Sequence, residues 1–265
     1  MVIKSIDEIK NPIEMNMKPI KEKMNIYIPD IINENISKRN GMIYVLTGSG
    51  GSGKSSLMLN LFKDKSMYRN KFNNIYYICP SSSFSSVHKH PFEKHDKVFH
   101  ELTVSLLESI YNQLIAIKEK ATEKKEKKKE KAYEDDVSEE EEEEEIQYSC
   151  IIIDDMASSL KDNDINKQLN KMMIKARHLC CSFIITLQNY YYFPKILRRQ
   201  LTYITIFKPQ NIDSWNNIAD ELMNLNKEDA LKIYNYVFDE QYNHLDIDVL
   251  KNIYYKNFHK LVLNS

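Results

Sequence analysis

The sequence predicts an α/β protein in which helices cover both faces of a mainly parallel β-sheet. Short runs of apolar and β-branched residues alternate along the chain with segments whose apolar residues recur every three or four positions. A glycine-rich loop joins the first strand to the first helix. Strands that alternate with helices form parallel sheets, because each helix carries the chain back across one face of the sheet.

The predicted core spans residues 41–210, between an N-terminal extension (1–40) and a mainly helical C-terminal extension (211–265). Apolar β-rich runs predict five core strands at Met42–Thr47, Ile75–Cys79, Cys150–Asp154, Ser182–Leu187 and Thr202–Phe207. Helical spacing predicts helices at Leu57–Phe62, Glu101–Ile117, Ile165–Ala176, Asp213–Leu225 and 227–238. The segment His244–Leu263 mixes strand and helix signals that the sequence does not separate.

The loop after the first strand, Gly48–Ser55, reads GSGGSGKS and fits the P-loop (Walker A) pattern GxxxxGK(S/T). Of the five glycines in the chain, four lie in this loop, where they allow backbone N–H groups to turn toward phosphate oxygens. Lys54 is expected to reach the outer phosphates of a nucleotide, and the Ser55 hydroxyl is expected to ligate Mg²⁺. A flexible linker would not require a lysine between a strand and a helix. The predicted phosphate-binding residues are Gly48, Ser49, Gly50, Gly51, Ser52, Gly53, Lys54, Ser55 and Ser56.

Three polar residues at strand ends supply the other groups that hydrolysis needs. Asp154 ends the buried run IIID and is predicted to hold Mg²⁺ through water, as a Walker B acid does. Asp155 is the candidate base that polarises the attacking water, and Gln188, at the end of the fourth strand, is the candidate sensor of the γ-phosphate.

The motif set favours hydrolysis over other P-loop chemistries. No NKxD motif for guanine follows the loop, and no arginine-rich lid of the kind found in nucleoside-monophosphate kinases follows either. An acid beside the Walker B position and a polar end to strand four indicate the additional-strand (RecA/ASCE-like) class. In that class the strand order is 5-1-4-3-2, which places Gln188 next to both the phosphate loop and the acids.

The ordered segments GSGGSGKSS, IYYICPS, IIIDDMASSL, KARH, FIITLQ, FPKILRRQ and TIFKP together resemble a known family. They are similar to the poxvirus-type virion DNA-packaging ATPases of large DNA viruses, within the FtsK/HerA-like group of DNA-pumping motors. The resemblance covers about Gly41–Pro209. In this chain Asp155 stands where most FtsK/HerA-like enzymes have glutamate, although aspartate is usual in the viral branch.

The resemblance implies a ring of identical subunits that uses ATP and Mg²⁺ and packages viral DNA into the capsid. It implies that the partners are double-stranded DNA, bound without sequence preference, and capsid or portal proteins. It also implies an intracellular place of action in the host cytoplasm and viral factory, with the virion as a second location. An arginine from a neighbouring subunit would complete the site; Arg177 is the first candidate, and Arg198 and Arg199 are the second. The Ser81–Ser86 loop and Tyr190–Arg199 are candidate DNA contacts.

The net charge of −1 hides a charged insertion at residues 118–145, which carries eight lysines and fourteen acids. Removing it leaves 29 basic and 24 acidic residues, so the rest of the chain has a net charge of +5, which is compatible with DNA binding. Glu–Lys pairs favour helix in the first part of the insertion, whereas the block Glu139–Glu145 is expected to be disordered. The insertion belongs to no motif of the resemblance.

Other side chains give weaker indications. The four cysteines lie in or beside apolar runs and are predicted to be buried free thiols. His88, His90, His95 and His100 lack the spacing of a zinc site and are interpreted as a solvated loop. No apolar run approaches the roughly 20 residues of a membrane span, and the N-terminus lacks a secretory core, so an intracellular protein is expected.

Two alternatives stay open from the sequence. The same core serves other P-loop ATPases, such as helicase loaders and AAA-type remodelling enzymes. A nucleotide-gated assembly protein that hydrolyses slowly or not at all would also keep these motifs.

Overall fold

The computed structural model describes residues 27–135, 146–223 and 225–263. For 124–135 it describes the backbone only. Within these ranges the strands are β1 (Ile43–Thr47), β2 (Asn74–Ile78), β3 (Val98–Phe99), β4 (Ser149–Ile153), β5 (Cys181–Leu187), β6 (Tyr203–Phe207), β7 (His244–Asp248), β8 (Ile253–Lys256) and β9 (His259–Lys260). The α-helices are α1 (Lys54–Leu61), α2 (Ser81–Ser85), α3 (Val104–Asp135), α4 (Asn163–Ile174), α5 (Lys195–Arg198), α6 (Ile212–Leu222) and α7 (Lys227–Val237). Two 3₁₀ turns lie at Ser159–Lys161 and Tyr190–Tyr192.

All described strands form one sheet with the order β3-β2-β4-β5-β1-β6-β7-β8-β9. The five predicted core strands are β1, β2, β4, β5 and β6; they are parallel and lie in the order 5-1-4-3-2 when numbered as predicted. The α/β fold class is therefore confirmed. Four further strands extend this core: β3 pairs with β2 at one edge, and β7, β8 and β9 are added antiparallel beyond β6.

Alternate residues of the central strands face two separate hydrophobic cores. In β1, Ile43 and Val45 contribute to a core that is covered by α3, α4, α6 and α7. Tyr44 and Leu46 contribute to the opposite core, which is covered by α1 and by residues from 28 to 36 of the N-terminal segment. Burial on both faces explains why these strands read as continuous apolar runs in the sequence.

The C-terminal extension differs from the predicted mainly helical structure. Its first part forms α6 and α7, as predicted, whereas 244–260 forms the antiparallel strands β7 to β9. β7 alternates polar and apolar residues (HLDID), which is the pattern of a half-exposed strand, yet the polar side chains of His244 and Asp246 are buried. The sequence therefore reads as a short surface segment although the strand lies inside the sheet.

The charged insertion and the serine-rich segment bear on two further predictions. Helix α3 continues to Asp135, in line with the helix that Glu–Lys pairs favour in the first part of the insertion, while the block Glu139–Glu145, predicted to be disordered, lies outside the described residues. The serine-rich segment predicted as a loop forms the short helix α2, and the Ser85 and Ser86 hydroxyls each donate to a carbonyl oxygen of the preceding turn. The proposed 1–40 extension is described only from Tyr27, which forms an isolated bridge with Arg39.

Two weaker interpretations change in part. Cys79, Cys150 and Cys181 are buried free thiols, as predicted, but Cys180 is only half-buried. The solvated-loop interpretation is wrong for His90, which is 6 % exposed and packs against the rings of Tyr77, Phe84 and Phe92. No group of three His, Cys, Asp or Glu side chains suited to a metal occurs among the described residues. In the same part of the chain, no helix has the length and apolarity of a membrane span.

Candidate active site

The P-loop leaves the carboxyl end of β1 and enters α1 at Lys54. Two of its glycines, Gly51 (φ 72°) and Gly53 (φ 100°), adopt the left-handed conformation that side-chain-bearing residues rarely adopt. The Gly48 N–H donates to the Leu187 carbonyl oxygen at 3.1 Å, which ties the loop to the neighbouring strand β5. The loop is thus shaped by backbone conformations that its glycines permit.

The start of α1 is suited to bind an anion. No side chain caps its first N–H groups, and its first turn contains no acidic residue. The unpaired N–H groups and the helix dipole therefore present positive charge to the loop. Lys54 is buried and donates from Nζ to the Ser49 carbonyl oxygen at 2.9 Å, so its ammonium group lies within the loop, and Ser56 lies in the same first turn with an exposed side chain.

Asp154 follows β4 and is buried at the centre of the site, with 4 % exposure. Its Oδ1 accepts hydrogen bonds from the Ser55 hydroxyl at 3.1 Å and from the Thr186 hydroxyl, and its Oδ2 accepts one from the Tyr77 hydroxyl at 2.8 Å. The donors come from α1, β5 and β2 respectively. A buried carboxylate is costly unless it is hydrogen-bonded, and three donors from separate elements meet that requirement.

Asp155 has a different environment from Asp154, although the two are adjacent in sequence. Its side chain is exposed, and its backbone adopts the left-handed conformation (φ 55°). The Asp155 N–H donates to Thr186 Oγ1 at 3.1 Å, and Gln188 donates from Nε2 to Asp155 Oδ1 at 3.3 Å. The turn therefore directs the second carboxylate away from the first and toward Gln188.

Burial and the nearby acids shape the electrostatics of the site. Desolvation lowers the pKa of Lys54, while the negative charges of Asp155 and Asp154 act in the opposite direction. Burial, followed by the negative charge of Asp154, raises the pKa of Tyr77. Tyr77 therefore remains a neutral donor to Asp154 at physiological pH.

The hydrogen-bond donors and oxygen ligands of this site fit a nucleoside triphosphate with Mg²⁺. The loop and the start of α1 offer N–H groups, and Lys54 adds a positive charge. Mg²⁺ prefers oxygen ligands and keeps several waters, and the Ser55 hydroxyl and the Asp154 carboxylate lie within hydrogen-bond distance of one another. These two residues would hold the ion, which would neutralise charge on the phosphates.

Arg177 does not lie beside this site in its own subunit. Arg177 is in the turn before β5, at the amino ends of the parallel strands, whereas the P-loop follows their carboxyl ends. β5 has 7 residues, which corresponds to about 20 Å. The backbone of this turn packs closely on Gly41, where an added Cβ would lie 2.5 Å from the backbone nitrogen of Arg177.

Arg198 is held by contacts within its own subunit. Its guanidinium pairs with Glu221 at 3.0 Å, donates to the Phe193 carbonyl oxygen at 2.7 Å, and lies 4.7 Å from the centre of the Tyr190 ring. The side chain is only 12 % exposed. Arg198 therefore stabilises the segment after β5, and Arg199, which is exposed, remains the second candidate.

The sequence predictions missed two residues of the site, Tyr77 and Thr186. Each lies in the strand interior where its run is otherwise apolar, so neither has a motif of its own. Only Thr186 could have been found from the sequence. It is two residues from both Ile184 and Gln188, so its hydroxyl lies on the same face of β5 as these residues, the face that packs toward α1. Tyr77 is separated from Asp154 by 77 residues of sequence, and only the sheet order brings the two together.

Comparison with known proteins assigns a family to this arrangement. The family model described as Poxvirus A32 protein matches residues 32–261. The chain belongs to the poxvirus A32 protein family. A comparison with curated proteins gives no match for this A32-family chain. The resemblance to poxvirus-type packaging ATPases is therefore confirmed at the level of the family.

Solved structures share the fold of the A32-family chain at low sequence identity. The DNA-packaging ATPase B204 from Sulfolobus Turreted Icosahedral Virus has a TM-score of 0.54 at 18 % identity, over 84 % of this chain and 98 % of that one. EssC (ATPases 2 and 3) from Geobacillus thermodenitrificans has a TM-score of 0.51 at 15 % identity, over 78 % and 38 %. The genome packaging NTPase B204 from Sulfolobus turreted icosahedral virus 2, in complex with AMPPCP, has a TM-score of 0.50 at 18 % identity, over 85 % and 100 %.

Proposed function

We propose that this A32-family chain is the ATP-hydrolysing subunit of a motor that moves viral DNA into the capsid. One observation carries the proposal: a continuous hydrogen-bonded chain links the phosphate loop to the candidate base and sensor. It runs from Ser55 through Asp154, Thr186 and Asp155 to Gln188. A protein that only bound nucleotide would need the first two of these residues but not the last two.

The roles follow from the position of each group. The loop N–H groups and Lys54 bind the phosphates, and Ser55 and Asp154 would hold Mg²⁺, which would neutralise phosphate charge. Asp155, exposed beside the loop, accepts a proton from the attacking water. Gln188 orients Asp155 through its Nε2 donor and is the proposed sensor of the γ-phosphate. Catalysis of phosphoryl transfer is mainly positioning and charge stabilisation, which this arrangement supplies.

The site is completed by a second subunit of a homo-oligomeric ring. Arg177 lies at the amino ends of the parallel strands and the P-loop at their carboxyl ends, so Arg177 can contact a nucleotide only across a subunit boundary. A guanidinium there would stabilise the charge that develops on the γ-phosphate. Arg199 is the second candidate for this role. Mixed rings test the assignment, because an Arg177→Ala subunit that acts on its neighbour inactivates sites it does not itself contain.

Double-stranded DNA and capsid or portal proteins are the proposed partners. The net charge of the chain outside the insertion is positive. The exposed serines of α2 supply hydroxyls for phosphate contacts, and the exposed Lys195 and Arg199 supply cations. Such contacts do not read base sequence, which suits the packaging of a whole genome. The proposed place of action is the cytoplasmic viral factory of the host cell, and the virion is a further possible location.

Asp155→Asn tests the hydrolytic assignment. The change keeps the size of the side chain but removes the base, so we expect kcat to fall at least about 100-fold while affinity for ATP changes less than about threefold. Asp164→Asn, at an exposed position in the first turn of α4, is the matched control and should leave both values unchanged. Full turnover in Asp155→Asn would show that the assigned base is wrong.

A further inference from the structure

A group of aromatic side chains lies on the side of the P-loop away from the two aspartates. β1 is flanked by β5 on one side and by β6 on the other, and β6 continues to β7. A Cβ added at Gly53 would lie 3.4 Å from Cδ1 of Tyr242 and 3.5 Å from Cε1 of Phe207. Phe207 ends β6 and Tyr242 lies just before β7. Both rings therefore approach the last glycine of the phosphate loop.

The positions of the hydrolytic groups indicate how a nucleotide would be oriented. Asp154, Asp155 and Gln188 follow β4 and β5, so the phosphate to be cleaved would have to lie on the β5 side of the loop. The nucleoside end would then lie on the opposite side, toward β6 and β7, where Tyr242 lies.

Tyr242 is held in place although its side chain is 60 % exposed. The adjacent Asn243 donates to Asp239 at 2.7 Å and accepts from Asn257 at 2.7 Å. Lys256 also pairs with Asp239 at 2.7 Å. These contacts join the turn to the hairpin of β8 and β9, so the exposed ring is carried by a braced backbone.

The backbone of Tyr242 adopts a left-handed conformation (φ 69°), which an aromatic residue rarely adopts. Residues kept in such conformations by their surroundings cluster at ligand-binding and active sites. Phe207, which approaches the same glycine, packs on His244 with ring centres 5.3 Å apart, and His244 packs on Phe258 at 5.0 Å. The Tyr242 ring therefore lies at the border of an aromatic group on this side of the loop.

We propose that Tyr242 is the platform on which the nucleobase of the bound nucleotide stacks. The proposal rests on the proposed function, because it assumes a nucleotide in the P-loop, and it adds the residue that contacts the base. Each nucleobase has an aromatic face, so stacking on a tyrosine is tolerant of base identity. Tyr242 therefore strengthens binding of ATP and of other nucleoside triphosphates to a similar extent.

The test compares a nucleotide with inorganic triphosphate, which has the phosphates but no base. Dissociation constants for a nonhydrolysable ATP analogue and for inorganic triphosphate are measured by calorimetry, with Mg²⁺ present, on the full chain. We expect Tyr242→Ala to weaken binding of the analogue about five- to tenfold and to leave triphosphate binding within about twofold. Tyr242→Phe, which keeps the ring, should bind the analogue as the wild type does. Tyr27→Ala, at another exposed tyrosine, is the control and should change neither value.

Three results would overturn the proposal. The first is unchanged affinity for the analogue in Tyr242→Ala. The second is an equal loss of affinity for both ligands, which would mean damage to the loop rather than loss of stacking. The third is a wild-type chain that binds triphosphate as tightly as the analogue. Hydrolysis of ATP by the wild type is measured separately, so the stacking proposal can fail while the proposed function stands.

Discussion

At the scale of single residues, the buried Asp154 carboxylate depends on hydroxyl donors from three elements. Ser55 and Thr186 bond to one oxygen, and Tyr77 is the donor to the other among the residues that the structure describes. The hydrogen-bond partners of a metal-binding carboxylate orient it. Loss of such a partner typically lowers metal affinity or activity by roughly 10- to 100-fold. Tyr77 thus acts through Asp154 as a positioning residue.

Tyr77→Phe should raise the Mg²⁺ concentration that gives half-maximal ATP turnover by about tenfold. The reason is that the ring remains in place while the hydrogen bond to Oδ2 is lost. Turnover is measured across a magnesium titration at saturating ATP. The matched control is Tyr76→Phe, whose hydroxyl bonds to Gln113 on the other face of the sheet. An unchanged magnesium requirement, or the same change in both variants, would contradict the positioning role.

The site could be predicted from sequence where a residue belongs to a local pattern. Lys54 and Ser55 are identified by the glycines around them, and Asp154 and Asp155 by the apolar run before them. Tyr77 and Thr186 could not be predicted in the same way, because their roles come from contacts across strands that are far apart in sequence. His90 was misread for a different reason: its ring packs against Tyr77, Phe84 and Phe92, which are near in sequence but follow no regular spacing that would predict a buried histidine.

At the scale of elements, the antiparallel strands β7 to β9 form a lateral support for the P-loop side of the sheet. Asp246 in β7 is fully buried and accepts hydrogen bonds from the Thr205 hydroxyl at 2.5 Å, from the Phe258 N–H at 3.0 Å, and from His244 Nδ1 at 3.0 Å. These bonds join β6, β7 and the turn before β9. The support therefore depends on one buried carboxylate.

Asp246→Ala should lower the free energy of unfolding by about 3 kcal/mol, because it leaves several buried donors without an acceptor. Urea denaturation followed by circular dichroism measures the change. Asp220→Ala, at an exposed position of α6, is the control and should shift stability by less than about 0.5 kcal/mol. Equal stability of the two variants would mean that the buried carboxylate does not support these strands.

The five parallel strands could be predicted because burial on both faces makes each a continuous apolar run. The tail could not, since β7 carries buried polar residues and reads as a surface segment. The helix over 118–135 follows from Glu–Lys pairing, but its end could not be placed from sequence because a charged run has no apolar periodicity.

At the scale of the whole molecule, the proposed site is divided between subunits of a ring. The chain supplies the phosphate loop, the two acids and Gln188 at the carboxyl ends of its parallel strands, and Arg177 at their amino ends. The family and the fold agree with a genome-packaging ATPase. The assembly itself could not be predicted from residue patterns, because an intersubunit contact leaves no periodicity within one chain.

The most direct test of this account measures ATP turnover and oligomer mass on the same sample, with and without double-stranded DNA. A motor whose site is finished by its neighbour should be most active as a ring and should be stimulated by DNA of any sequence, with stimulation falling as salt rises. Light scattering gives the mass, and phosphate release gives the rate. A single subunit that hydrolyses ATP at full rate, or a ring whose turnover does not rise with DNA, would contradict the account.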